Sequence, residues 1–372
     1  MKPICREIHS IKLAAALAFL VSSTLLFGQN ESGSKQGLSL GGGQIRIPNR
    51  ASAPVFSGKE GKARTEIQFD PATSMVTVKL LVQDPNGYFI PNIRRDNFVV
   101  YENGVRQQTA SVDLERAAVS IGFLMEFGGR SQVLRRVVAD EASRAGRQLT
   151  EALSRDDRMA VWKYSDKVEK LADFSQSRES LASLFYSLGT PEFSETNLYD
   201  AVVSAIDQMR PVNGRKAIVL VSSGVDTFSK TTYQDVLKTA RASDSPIYAI
   251  SLAPSLREYM IINEQAGPIA HIDWGKADRR LQEIAAASGG RSYSRKDIVD
   301  LSPVYDDILE NLKLRYVITY RSSNGPDGSS PRDVRVELVD PQTGGPLRIV
   351  DESGRAVRAH IVAQDSYIPR AN

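Results

Sequence analysis

The chain has 372 residues, 41% of them hydrophobic, which is the composition of a globular protein with a sizeable core. Its formal net charge is +3, from 47 basic and 44 acidic residues. A protein that binds nucleic acid needs a basic patch, so this balance argues against nucleic acid as a main partner.

Residues 1–28 are typical of a secretory signal. Lys2 and Arg6 precede the apolar run Leu13–Phe27, which is short for a membrane-spanning helix. No clean A-x-A site follows, so two alternatives stay open, a cleaved leader and an uncleaved anchor. The single cysteine, Cys5, lies in this leader, and the rest of the chain therefore has no disulfide.

Residues 29–64 are rich in Gly, Ser, Gln and Asn, which is typical of a flexible tether; a pro-segment is the alternative. Over residues 65–115 apolar side chains alternate with polar ones, as they do from Val76 to Leu80. Phe98–Glu102 is followed by an Asn-Gly pair at 103–104, which predicts a hairpin with a type I′ turn. We expect a small antiparallel module here.

Residues 116–314 alternate between apolar runs and helical periodicity. The helical patterns begin at Ser131 and Leu198 and surround Leu281, where Gly289 and Gly290 end the last of them. The strand candidates are Val119 to Met125, Arg158 to Tyr164, Lys216 to Ser222 and Ile247 to Leu252. This alternation predicts an α/β domain with a doubly wound, mostly parallel sheet that helices cover on both faces.

Residues 315–372 return to a period of two, first over Tyr316, Ile318 and Tyr320 and then over Val334–Leu338. Short isolated hairpins are marginally stable in water. We therefore expect the C-terminal strands to pack with the N-terminal ones in a β-module, with the α/β domain inserted between them.

The segment Val119–Ser131 carries the main functional signal. An apolar strand ends in Glu126, passes through two glycines and opens into a helix, which places polar groups at the carboxyl edge of the sheet. Open α/β sheets bind their ligands at that edge. The candidate ligand-binding residues at this edge, called the rim below, are Glu126, Gly128, Arg130, Ser131, Thr196, Ser223 and Asp226.

Three stretches, Gly122–Ser131, Glu195–Val202 and Ile218–Thr227, resemble those of bacterial proteins with a von Willebrand factor A-related domain, in particular the acidobacterial type. The resemblance covers residues 65 to 365 and implies a von Willebrand A-like fold. It also implies a metal-ion-dependent adhesion site, built from a D-x-S-x-S motif, a later threonine and a late aspartate. Such a site binds Mg²⁺ through hard oxygen ligands and leaves one position for an acidic group of a partner.

This chain departs from that motif at most positions. Glu126 replaces the first aspartate, Gly128 and Arg130 replace the two serines, Thr196 keeps the threonine, and Ser223 replaces the late aspartate. Ligands are lost, and a guanidinium at roughly 4 Å would repel the ion by several kcal/mol. The expectation is therefore no bound metal; the alternative is weak Mg²⁺ binding by Glu126, Thr196 and Ser223.

Several of these residues have two interpretations. The Arg130 guanidinium either takes the cationic role of the metal, paired with Glu126 or facing a partner carboxylate, or points to solvent in the first helical turn. Ser131 is either a ligand or a helix N-cap. Asp226 either supplies an oxygen or closes an Asx turn.

The loop Ser255–Gly275 is long and carries Met260 and Trp274, which suit either a protein contact or packing onto the domain itself. The three histidines, His9, His271 and His360, lack metal-ligand spacing, and no catalytic motif appears. The sequence thus predicts a protein that is not an enzyme.

The preferred function is an exported module, periplasmic or extracellular, that binds a protein or a cell-envelope component through the rim, with an acidic group of the partner as one mode of contact. It would contact a membrane only through an uncleaved leader. The alternatives are a structural scaffold of the envelope with a vestigial rim, metal-dependent adhesion with altered ligands and, last, a hydrolase that uses the rim carboxylates.

Overall fold

The secondary structure follows the periodicity of the sequence. Segments in which apolar and polar residues alternate form antiparallel strands, and continuous apolar segments form the strands of a parallel sheet. The computed structural model describes residues 39–40, 44–47, 66–129, 132–191, 193–254, 256–257, 272–294, 301–324 and 330–369. All of these belong to one compact unit, Gly37–Asn372.

The strands, numbered in chain order, are β1 (Ser39–Leu40), β2 (Gln44–Arg46), β3 (Glu66–Asp70), β4 (Met75–Gln83), β5 (Phe98–Glu102), β6 (Val105–Gln107), β7 (Thr109–Arg116), β8 (Val119–Glu126), β9 (Arg158–Tyr164), β10 (Val168–Ala172), β11 (Arg215–Ser222), β12 (Ile247–Ser251), β13 (Arg291–Ser294), β14 (Leu314–Arg321), β15 (Arg332–Leu338), β16 (Arg348–Val350), β17 (Ala356–Val357), β18 (His360–Val362) and β19 (Ser366–Tyr367). The helices are α1 (Gln132–Ala152), α2 (Arg178–Ser187), α3 (Leu198–Met209), α4 (Tyr233–Ala242), α5 (Trp274–Ala287) and α6 (Ser302–Lys313).

A six-stranded sheet with the order β10-β9-β8-β11-β12-β13 forms the centre of the α/β domain. Its strands are parallel except β10, which runs antiparallel to β9 at one edge. Every residue of β8 is buried, which explains why its sequence is a continuous apolar run rather than an alternation. The prediction of a mostly parallel α/β sheet is confirmed.

Helices cover both faces of this sheet. Ile121 and Phe123 of β8 belong to a core shared with α1, α2 and α6, whereas Leu124 belongs to a second core shared with α3, α4 and α5. The helices therefore hold the sheet from two sides, and the carboxyl ends of β8, β9 and β11 meet at one open edge, the rim.

The β-module combines strands from both sides of the α/β domain in sequence. β14 pairs antiparallel with β4 on one side and with β7 on the other. A second sheet has the order β19-β15-β5-β6, and the two sheets share a core that includes Val78, Val100 and Ile318. In the β5–β6 turn, Asn103 and Gly104 have φ angles of 49° and 78°, the left-handed values that a type I′ turn requires.

The chain enters and leaves the α/β domain at neighbouring points. Arg116, the last residue of β7, pairs with Leu314, the first residue of β14. The Ala117 amide donates to the Lys313 carbonyl at 3.1 Å. This junction lies beside the amino end of β8, so the rim is at the opposite end of the sheet.

The predicted leader, residues 1–28, lies outside the described residues, and so does most of the predicted tether, residues 29–64. Within that tether β2 pairs in parallel with β16, and Ile45 and Ile47 are buried. At Gln44–Ile47 the structure therefore differs from a flexible tether. The reason is local, because two isoleucines spaced by one residue form a strand that the surrounding glycines obscure in the sequence.

Among the described residues, none of the helices has the length and apolar character needed to span a membrane.

Candidate functional site

The Glu126 carboxylate ends β8 and is fully buried, with 0% of its surface exposed. Its Oε2 accepts hydrogen bonds from the Ser223 amide at 2.7 Å, the Ser222 hydroxyl at 3.1 Å and the Tyr164 hydroxyl at 3.2 Å. Its Oε1 accepts from the Ser223 hydroxyl at 2.9 Å. The carboxylate thus links β8 to β9 and to the end of β11, and it faces the protein interior rather than solvent.

The hydrogen-bond donors around the buried Glu126 carboxylate are neutral groups. Burial raises the pKa of Glu126, because the loss of hydration outweighs the hydrogen bonds from Ser223, Ser222 and Tyr164. The hydroxyls of Tyr164 and Ser222 lie 2.8 Å apart and share a further hydrogen bond. This cluster is a closed polar network, which gives the end of the sheet a fixed geometry.

Gly128 is in close contact with the loop after β9 and the loop before α3. A Cβ atom at this position would lie 2.6 Å from Ser194 Oγ, 2.7 Å from Ser165 Cβ and 3.2 Å from the Glu195 carbonyl oxygen. The Ser194 amide also contacts the Gly129 carbonyl oxygen at 3.4 Å. Only glycine permits such an approach, so the space that a ligating serine would need is filled by the neighbouring loop.

Two rim loops are joined through Thr196 and Thr227. The Thr196 amide donates to Thr227 Oγ1 at 2.8 Å, and the Thr227 amide donates to the Thr196 carbonyl at 2.9 Å. Thr196 is buried, with 3% of its surface exposed. The loop before α3 and the loop after β11 therefore form one connected surface.

Asp226 and Asp200 bind backbone groups. Asp226 Oδ1 accepts from the Tyr199 amide at 3.1 Å and from the Ser229 hydroxyl at 2.5 Å, so it caps the first turn of α3. Asp200 accepts from the amides of residues 230 and 231 at 2.9 and 2.8 Å. Burial opposes ionisation of Asp200, but these hydrogen bonds outweigh it and hold the pKa of its carboxyl below the ordinary value.

The oxygen atoms of the described rim residues are not arranged as a magnesium site. Mg²⁺ requires oxygen ligands in octahedral array, with several positions left to water. Of the ligands of the predicted weak site, Glu126 faces inward and Ser223 donates to it, while Thr196 is buried within the loop before α3. In the described part of the chain, no group of three or more His, Cys, Asp or Glu side chains is placed to hold a metal ion.

The structure brings Glu126 and Ser223 into direct contact and places Gly128, Thr196 and Asp226 on the loops around them. Arg130 and Ser131 lie outside the described residues, so both interpretations of each stay open.

Most of the loop Ser255–Gly275, including Met260, also lies outside the described residues. Trp274, near its end, is the first residue of α5 and is buried in the core of its own domain, with 8% of its surface exposed.

Sequence reasoning missed several site residues. Tyr164 and Ser222 were recognisable in principle, because each is the last residue of a predicted strand and parallel strands end at one edge. Phe193 and Phe228, exposed by 68% and 74%, gave no signal, since an isolated aromatic residue in a loop has no period.

Comparison with known proteins gives a family match for the α/β part of the chain. Residues 131–306 match the family model described as the von Willebrand factor type A domain. No curated protein sequence matches the chain.

Three solved structures are similar to this chain over 52% of its length. They are an aerotolerance-related membrane protein from Bacteroides fragilis (12% identity, 98% of that chain covered, TM-score 0.40), the conserved hypothetical protein BatB from Bacteroides thetaiotaomicron (13%, 97%, 0.39) and the vWF domain of the type V pili tip protein Mfa5 from Porphyromonas gingivalis (11%, 95%, 0.37).

Proposed function

From the premise that this chain carries a von Willebrand factor type A domain, we propose that it binds another protein or a cell-envelope component through the rim, without a divalent metal. Domains of this type are in general protein-interaction and adhesion modules, typically without catalysis. The proposal narrows that general role to one edge of the sheet and to one mode of contact.

The buried Glu126 carboxylate is the observation that carries the proposal. In the metal-dependent mode, the first carboxylate of the motif faces the ion and an acidic group of the partner completes the coordination. Here this carboxylate accepts hydrogen bonds from Ser222, Ser223 and Tyr164. The polar network holds the loops from inside, and the partner then contacts protein groups directly.

Export is part of the same proposal. It is supported by residues 1–28, with their basic start and apolar run. Absence of catalysis is proposed as well. Ser222 and Ser223 hydrogen-bond to Glu126, and the sequence contains no histidine in a catalytic motif with these serines.

Magnesium titration by calorimetry on the purified chain tests the metal-free mode. We expect no saturable binding of Mg²⁺ at micromolar concentrations, and we expect recovery of a bound partner to be unchanged by EDTA. A von Willebrand A domain with a complete D-x-S-x-S motif is the positive control. Micromolar binding of Mg²⁺ to this chain would overturn the proposal.

A further inference from the structure

A sheet of four short strands, with the order β1-β2-β16-β17, joins the first described part of the chain to its C-terminal part. One face of this small sheet packs on the core of the β-module through Ile45, Ile349, Val357 and Ala359. Because side chains alternate between the two faces of a strand, the residues between these apolar ones lie on the opposite face. That opposite face is called the outer face below.

Three arginines lie on the outer face. Arg46 belongs to β2, Arg348 belongs to β16, and Arg358 directly follows β17, and all three are exposed. Strands β2, β16 and β17 are hydrogen-bonded neighbours, and such strands lie about 5 Å apart, so the arginines form one patch. Within the ranges that the structure describes, none of their guanidinium groups forms an ion pair.

The acidic residues of the small sheet and its adjoining turns all lie in the turns. In the β16–β17 turn, the Asp351 carboxylate pairs with the Arg355 guanidinium at 3.0 Å. Glu352 in the same turn is exposed, and Asp340 lies in the turn that precedes β16. Four arginines and three carboxylates give this region a net charge of +1 (4 − 3). The charge on the strands of the outer face itself, however, is positive alone.

The sequence on either side of β2 does not offset this positive face. Residues 28–43, which precede β2, are neutral overall, with Lys35 against Glu31. Residues 48–65, which follow β2, include four basic residues and one acidic residue, a net charge of +3 (4 − 1). An anionic surface that meets the outer face therefore encounters no excess of like charge from these segments.

The position of the apolar run favours a membrane as that anionic surface. The run Leu13–Phe27 ends 16 residues before Gln44, the first residue of β2. A chain of that length spans at most roughly 55 Å, so an uncleaved leader would hold the outer face close to a bilayer. Cations on neighbouring strands of one sheet face also suit an extended layer of phosphate groups, which a lipid surface provides.

We propose that the outer face docks on the anionic headgroups of a membrane, with Arg46, Arg348 and Arg358 in contact with lipid phosphates. The sequence alone assigns membrane contact to the leader, and the outer face adds a second contact. This inference goes beyond the proposed function of the rim, because the three arginines belong to the β-module and the rim belongs to the α/β domain. The two contacts thus involve separate surfaces.

Cosedimentation of the full chain with lipid vesicles tests the inference. The vesicles contain phosphatidylcholine alone or phosphatidylcholine mixed with phosphatidylglycerol, and the measured quantity is the ratio of the two partition coefficients, anionic over neutral. Each arginine near an anionic surface contributes about fivefold, so we expect a ratio on the order of 100-fold at low salt. This ratio should fall as salt rises. The apolar run contributes to partition into both kinds of vesicle and cancels in the ratio.

The triple variant Arg46→Gln, Arg348→Gln, Arg358→Gln should reduce the ratio about tenfold or more. Because the three side chains are exposed, the variant folds normally, which circular dichroism verifies. The basic residues of the leader are unchanged in this variant, so their contribution to the anionic vesicles stays the same.

The matched control is the triple variant Arg155→Gln, Arg241→Gln, Arg279→Gln. It removes the same charge from exposed positions of the α/β domain, away from the small sheet. We expect its ratio to equal that of the unmodified chain. Equal losses in the two triple variants would show that net charge alone drives the binding, and would overturn the assignment to the outer face.

Two further outcomes would also overturn the inference. One is a ratio near one for the unmodified chain, which would exclude a contact with anionic headgroups. The other is binding of dextran sulfate, a soluble anionic polymer, that the outer-face variant abolishes while anionic vesicles are not preferred; the patch would then bind a polymer and not a membrane. Neither outcome affects the metal-free mode of the rim, which the magnesium titration tests separately.

Discussion

Two fully buried glutamates show how their neighbours set the protonation of a carboxyl group. Glu102 accepts from the Ser322 hydroxyl at 2.6 Å and the Tyr320 hydroxyl at 2.7 Å, and the Arg332 guanidinium lies 3.3 Å away. There burial is outweighed by hydrogen bonds, and the pKa of Glu102 lies below its ordinary value. At Glu126 the hydrogen bonds from Ser223, Ser222 and Tyr164 do not outweigh burial, and the pKa of its carboxyl is raised.

This difference predicts a pH dependence for Glu126→Gln. Because the folded-state pKa of Glu126 lies above the ordinary value of 4.5, the protonated carboxyl stabilises the fold at low pH and this contribution is lost as pH rises through the folded-state pKa. The free energy of unfolding of the wild type should therefore fall, relative to that of the variant, as pH rises from about 4.5. Urea denaturation at a series of pH values measures it.

Glu102→Gln is the control for that experiment. The pKa of Glu102 is lowered, so its ionised form stabilises the fold above the ordinary glutamate value, and this contribution is lost on acidification. The two variants should show opposite slopes against pH. A difference between wild type and Glu126→Gln that stays constant with pH would contradict the role given to burial.

At the scale of elements, close approach between helices depends on glycine. α1 packs against α2 at Gly146, where an added Cβ would lie 2.2 Å from a ring carbon of Phe185. Phe185 is buried, with 2% of its surface exposed. Its ring packs edge-on against the ring of Phe123 in the sheet, with 5.5 Å between the two ring centroids. The small size of Gly146 thus allows Phe185 of α2 to fit between α1 and the sheet.

Gly146→Ala should therefore destabilise the protein. In an open helix this change gains about 0.5–1 kcal/mol of helix stability, but overpacking of a filled core costs about 1–3 kcal/mol. The clash prevails, and we expect a net loss in the free energy of unfolding, measured by urea denaturation. Gly275→Ala in α5 is the control, because its Cβ would meet only the ends of two side chains, Arg279 at 3.3 Å and Asp273 at 3.4 Å. That variant should be unchanged or more stable.

Elements differ in how well the sequence predicts them. Strands β8 and β11 are buried on both faces, so their apolar runs are unmistakable and the predicted and observed bounds agree closely. The edge strand β10 is half exposed and was missed, because its alternation is weak. Strands of two or three residues, such as β17 and β19, are too short for any period and form only where a partner strand is supplied.

The candidate site was predictable in position but not in orientation. The rule that parallel strands end at one edge places Glu126 and Ser223 together. Whether Glu126 faces outward or inward depends on the hydroxyls of Tyr164 and Ser222, which come from strands far apart in sequence. No local sequence pattern indicates the orientation of the Glu126 side chain, because the orientation depends on how these distant strands pack together.

At the scale of the whole molecule, ion pairs reinforce the junction between the β-module and the α/β domain. Lys313, the last residue of α6, pairs with Asp157 at 2.5 Å, and their side chains are only 4% and 1% exposed. Arg215, at the start of β11, pairs with Glu115 of β7 at 2.6 Å. The first pair links the end of α6, directly before β14, to the loop before β9, and the second connects β11 of the parallel sheet to β7 of the β-module.

Asp157→Ala should be strongly destabilising, by about 3–5 kcal/mol, because it leaves the buried Lys313 ammonium without its ionic partner and the amides of Val119 and Ser154 without their acceptor. Chemical denaturation followed by circular dichroism measures the loss. The matched control is Asp207→Ala, which removes the partner of Arg210 in a pair whose side chains are 73% and 56% exposed. An exposed pair contributes about 0–1 kcal/mol, so the two losses should differ severalfold. Equal losses would show that the junction pair is no stronger than a surface pair.

The neighbouring entry and exit points of the α/β domain also decide how the molecule responds to mechanical tension. A pull on the rim reaches the β-module through β7 and β14 together, since Arg116 and Leu314 lie side by side. Both strands are then drawn lengthwise in the same direction. The six paired positions between β14 and β4 are loaded in shear and must yield together, rather than unzipping one at a time. The two parts are thus connected by two strands under the same load, so separating them along this direction requires both strands to yield.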